Sequence, residues 1–192
     1  NIISVSLVAL LIGATEAAFV MFLVARPRVV ALRGSPPYGW ALGLGIGSMQ
    51  ACVLIVRLFD TELSYSEYSG LNPFSMLLAF AISITSGLGH ALPASWQGAK
   101  VLESSRIRPF LLSSIARAAL IVCLVLSLFV PLLLLAALPA IALAWGPAQM
   151  TWLPSGMTPA AKQAFRRTTR QSDKHRKASD ERIAGTPFDS EE

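Results

Sequence analysis

Charged side chains are scarce in this sequence: 14% of its 192 residues are Asp, Glu, Lys or Arg, against 54% of the hydrophobic class. Mean hydropathy is +0.57. A soluble domain of this size needs far more charge to cover its surface, so a water-soluble globule is excluded. Cysteine is scarcer still. Cys52 and Cys123 both lie inside apolar runs, where a thiol behaves as a small hydrophobe, and two cysteines define neither a disulfide framework nor a zinc site. Histidine occurs only as His90 and His175; His175 falls in a polar tail, which excludes a bis-histidine haem site within the apolar region.

Catalytic patterns are missing too. There is no HExxH, no pair of aspartates suited to a metal-dependent transferase, and no phosphate-binding glycine loop, since the glycines of GLGIG (43–47) lie within a helix. Ser48 of GIGS and His90 do not fit the serine and histidine of rhomboid-type proteases: no helix separates their two spans, and Met49 stands where a glycine should follow the serine. The sequence therefore leads to no catalytic centre, no metal and no cofactor, and an enzyme ranks third among the function classes.

What is present is apolar length. Blocks of about 20 residues match helices crossing a ~30 Å hydrocarbon layer, which predicts an all-α, polytopic transmembrane bundle. Spans are expected at about 3–25, 39–59 and 73–93, punctuated by Pro27, Pro36-Pro37 and Asn72-Pro73. A fourth block, 110–146, is long for one span and short for two, so four or five passes are open. Pro131 or Pro139 would mark the bend if it folds back; otherwise one span covers about 118–138. The domains are then a bundle at 1–146 and a basic, partly disordered tail at 147–192. The chain opens at Asn1 and is apolar from its second residue, with no basic n-region, so residues 1–25 read as a span rather than a signal peptide. The expectation is a chain trimmed upstream, or the C-terminal part of a longer one.

Loop charge sets the orientation. Arg26, Arg28 and Arg33 follow span one, and Lys100, Arg106 and Arg108 follow span three, whereas the intervening loop carries Asp60, Glu62 and Glu67. The positive-inside rule puts the basic loops in the cytoplasm and the N-terminus outside. With a folded-back fourth block the tail is cytoplasmic as well.

Small residues recur every four positions: Ala9, Gly13 and Ala17; Gly39, Gly43, Gly47 and Ala51; Ala79, Ser83, Gly87 and Ala91. Lipid offers helices no hydrophobic reason to associate, so such ridges are expected packing faces. Glu16, Gln50 and His90 each directly precede one of these alanines, one helical step from a ridge, and Arg117 enters the last block from the same side. Ionisable groups at that depth are costly unless paired, so these four residues are expected to form a polar centre for proton, ion or ligand handling, or a structural lock.

The tail places Lys162, Arg166, Arg167, Arg170, Lys174, Arg176 and Lys177 in one 16-residue window, with Thr158 as a helix cap and Pro159 at the first helical position. Anionic lipid headgroups are its expected partner over Lys162–Lys177, and Thr169 and Ser179 follow basic residues in phosphorylation-like spacing. The other expected partners are the bilayer and neighbouring membrane subunits, not nucleic acid. Two function classes follow: a receptor-like or transporter-like bundle with a cytoplasmic tail, or a non-catalytic accessory subunit of a larger membrane complex.

Overall fold

The computed structural model describes residues 2–62 and 66–183, and all of its regular structure is helical. The helices are α1 (Ile2–Val24), the short α2 (Pro27–Ala31), α3 (Ser35–Phe59), α4 (Pro73–Leu102), α5 (Ile107–Ser127), α6 (Leu138–Pro147) and α7 (Pro159–Ile183). Helix α6 is the middle of a longer leg, Pro131–Gly156, that opens as 3-10 helix and closes through a π turn at Ala148–Trp152. Among the described residues, five segments are long and apolar enough to cross a bilayer: α1, α3, α4, α5 and this return leg.

Local chemistry explains the boundaries. Proline sits at the start of α2, α3 and α4, where its missing N–H costs no helical hydrogen bond. At α4 the cap is reciprocal: Asn72 Oδ1 accepts from Ser75 N at 2.8 Å, while Asn72 N donates to Ser75 Oγ at 3.1 Å. Gly70, at φ +92°, turns the preceding loop back so that its N–H reaches Leu58 O at 2.9 Å. At the other end, Ser35 Oγ donates to Val24 O at 2.8 Å and ties the start of α3 to the end of α1.

Three boundaries differ from the sequence reading. Helix α4 does not stop at 93: Pro93 lies inside it and the helix continues to Leu102. Leu92 and Ala94 beside it are buried, and Ser113 Oγ of α5 donates to Pro93 O at 3.3 Å, so tertiary packing holds the chain helical there despite the lost donor. The fourth block is neither 110–146 nor a single span at 118–138. It is two legs, α5 and Pro131–Gly156, joined by a turn at Leu128–Val130, so Pro131 marks the bend and Pro139 falls in the first turn of α6. Starting at Ile107 and ending at Gly156 gives both legs the length that 110–146 lacked. The bundle therefore closes at Gly156 rather than at 146, and the remaining residues form a separate unit from Met157.

Helix α3 runs antiparallel along α4, and α1 packs chiefly on α5. A Cβ added at Gly39, Gly43 or Gly47 would fall within 3.0 Å of backbone at Ala94, His90–Ala91 and Ser86–Gly87 respectively. Gly13 stands equally close to Ser114 and Ala118 of α5. Ala17, Ala51, Gly87 and Ala91 are buried in the same seams. Ser83 is a correction: it is exposed, and its hydroxyl turns back to Ala79 O at 2.8 Å. Its place on the seam is taken by Ser86, whose Oγ donates to Gly47 O at 2.8 Å.

Two apolar cores result. One joins Ala51, Leu54 and Leu58 to Leu78, Ile82, Leu124 and Leu134. The other gathers Val20, Val24, Ala94 and Val101. The first lies toward the end carrying the acidic loop, the second toward the end carrying Arg26 and Arg28. The return leg comes back to that basic end, where Arg33 Nη2 donates to Ser155 O at 3.3 Å.

The described part of the unit from Met157 is α7, none of whose residues is buried. Thr158 caps it, its Oγ1 accepting from Ala161 N at 3.3 Å. Thr169 and Ser179 both lie inside this helix, and the Thr169 hydroxyl donates to Phe165 O at 3.0 Å. The last residues, 184–192, lie outside the described part.

Candidate functional site: a buried polar centre

Between the two cores, four helices each contribute one polar side chain: Glu16 from α1, Gln50 from α3, His90 from α4 and Arg117 from α5. Each directly precedes a buried alanine, Ala17, Ala51, Ala91 and Ala118. The small residue brings the neighbouring helix close, and the polar residue one step round the helix then points along the seam. The structure brings together all four residues expected from the sequence.

Their contacts form a chain across the bundle. Arg117 Nη1 donates to Glu16 Oε2 at 3.3 Å and lies 3.1 Å from His90 Nδ1. Arg117 Nη2 adds a bond to His90 O at 3.4 Å. On the far side of the imidazole, Nε2 is 2.5 Å from Gln50 Oε1. His90 and Arg117 are fully buried, whereas the Glu16 side chain keeps 19% of its surface exposed and Gln50 is half-buried, so the centre has an open edge at its carboxylate and another at its amide.

The histidine has two ways to satisfy this geometry. As the neutral Nε2–H tautomer it donates to Gln50 and accepts from Arg117 at Nδ1. With a proton on Nδ1 it donates instead to Glu16 Oε2, 3.2 Å away, and its bare Nε2 then requires the Gln50 amide turned over to present its NH2 group. That proton would oppose the Nη1–H of Arg117, so the Arg117–His90 bond and the Glu16–His90 bond exclude one another. The ring is thus a two-position element between a carboxylate and an amide.

Gln97 belongs to the same region and was not foreseen. It is fully buried on α4, two turns beyond His90, and its Nε2 donates to Ala17 O at 3.1 Å. Its Oε1, like Arg117 Nε, has no partner among the described residues. The seven-residue spacing from His90 was visible in the sequence, but ending the span at 93 removed Gln97 from the membrane. Because half of this amide is unpaired, Gln97→Met is expected to change stability by no more than about 1 kcal/mol, the net worth of one hydrogen bond. Thermal unfolding in detergent checks this, and a loss of several kcal/mol would show a second partner at Oε1.

No known family model matches the chain, and no curated protein or solved structure is significantly similar to it.

Proposed function

We propose that this chain is an integral membrane protein crossing five times, a transporter-like or receptor-like bundle whose polar centre exchanges a proton through the open edge of Glu16. The observation that carries the reading is the imidazole of His90, fully buried between the Glu16–Arg117 pair and the Gln50 amide, in a segment otherwise apolar enough to span a bilayer. Intramembrane ionisable chains of this kind mark proton and ligand paths. An odd number of passes, with basic residues on both loops at one end, favours a cytoplasmic tail and an external N-terminus. Anionic headgroups are then the natural partner of Lys162–Lys177.

Reconstitution tests it. Vesicles carrying the full chain are expected to dissipate an imposed pH gradient faster than empty vesicles, read by an entrapped pH dye. Glu16→Gln, which keeps an acceptor but loses the titratable carboxylate, is expected to abolish the difference. Equal rates for folded wild type and folded Glu16→Gln would reduce the centre to a structural lock.

A second reading, the accessory subunit, draws on the return leg, where Leu132, Leu135 and Leu143 face outward and little of the leg is buried. Under that reading the chain purifies with a stoichiometric partner across this leg.

A further inference from the structure

Helices α4 and α5 and the return leg line a half-open cavity of about 430 Å³ that the polar centre does not use. The α5 wall is a single helical stripe, Leu112, Ala116, Ala119 and Cys123, facing alanines of the return leg such as Ala140. The Ser113 hydroxyl in this wall is already spent on Pro93 O, at 3.3 Å. Trp96 and Trp152, with ring centroids 6.5 Å apart, line the cavity at the basic end of the bundle. One turn beyond Leu112, on the same face of α5, stands Arg108, exposed and in no ion pair among the described residues.

We infer that this cavity holds one acyl chain of an anionic phospholipid, with the headgroup phosphate at Arg108; the inference rests on the membrane reading above. Walls whose only free hydrogen-bonding side chains, among the described residues, are indole edges and the weak Cys123 thiol select hydrocarbon, because a polar occupant would lose its partners on entry. The size fits a chain. Leu112 to Cys123 covers ~17 Å of helix, an elongated wall that suits an extended hydrocarbon chain. The cation at the basic end supplies charge complementarity to a phosphate diester carrying no ammonium group. The occupant is therefore a phosphatidylglycerol-like lipid rather than a zwitterionic one.

The test uses the full chain purified in detergent and offered equal phosphatidylglycerol and phosphatidylcholine. Native mass spectrometry is expected to show one retained phospholipid, with phosphatidylglycerol favoured about fivefold, the effect of one basic residue near a headgroup. Arg108→Gln is expected to keep the lipid but lose the preference, and Ala140→Phe to lose the lipid. If Ala140→Phe does not fold, Ala119→Leu narrows the opposite wall for the same readout. In a Cys52→Ser background, phosphatidylglycerol is expected to slow alkylation of Cys123 by an apolar maleimide severalfold. The proposal is overturned by a folded protein that retains no lipid, by no preference in wild type, by a Cys123 rate indifferent to lipid, or by a Cys123–Cys123 cross-link showing a second copy in the cavity. Carbonate extraction of the same membranes separates these outcomes from failure of the membrane reading, because a released chain would refute that reading first.

Discussion

Glu16→Leu is expected to cost the fold about 3–5 kcal/mol, the range for removing one partner of a buried ion pair, and to cost more than Arg117→Leu. The order follows from exposure and chemistry. Losing the carboxylate strands a guanidinium that is fully buried and does not give up its proton inside a protein. Losing the guanidinium strands a carboxylate that, unlike a guanidinium, can be neutralised by a proton, and 19% of whose surface is open to admit one. That second loss is expected nearer ~2 kcal/mol, as for an unsatisfied polar group. The double variant Glu16→Leu/Arg117→Leu should recover most of the larger loss, because two apolar groups of similar volume replace the pair. Unfolding midpoints in one detergent give all three values. Equal costs for the single variants, or a double variant as damaged as their sum, would mean that Glu16 and Arg117 do not act as a pair.

The second large effect separates two glycines on one helix. At Gly43 an added Cβ would press on the backbone of His90 and Ala91, within 3.0 Å, and neither chain can yield without moving α3 from α4. Gly43→Val is expected to lose about 3 kcal/mol or more, the upper range of overpacking, and to disturb the His90–Gln50 contact along the same seam. Two residues on, Gly45 has nothing within 4 Å of its added Cβ. Gly45→Ala should be neutral or up to ~1 kcal/mol stabilising, through helix propensity. Similar behaviour of the two variants would show that the α3–α4 seam does not run through Gly43.

The contrast between these glycines also shows what could be read without coordinates. Gly39, Gly43, Gly47 and Ala51 were legible as one ridge because close helix approach demands the absence of side chains, and the absence is written in the sequence. Glu16, Gln50 and His90 were legible because each sits beside such a ridge in an otherwise apolar span. Ser83 departs from its row although Ala79, Gly87 and Ala91 keep to it: at that level the buried positions are Ile82 and Ser86, and only the neighbouring helix decides which side of the row is covered. Gln97 was missed because Pro93 looked like an end, and a proline inside a well-packed helix differs from a terminal one only in its tertiary surroundings. The exit at Gly146-Pro147 failed for the same reason, since the helical leg passes through it to Gly156. The bend at Pro131 was one of two marked candidates, and only packing of Leu134 and Ala137 against α3, α4 and α5 decides between them.

All four side chains of the polar centre precede the turn at Leu128–Val130, and each belongs to a helix complete by Ser127. The pairing of carboxylate with guanidinium therefore needs no residue of the final hydrophobic leg, and that leg can join a unit whose charges are already matched.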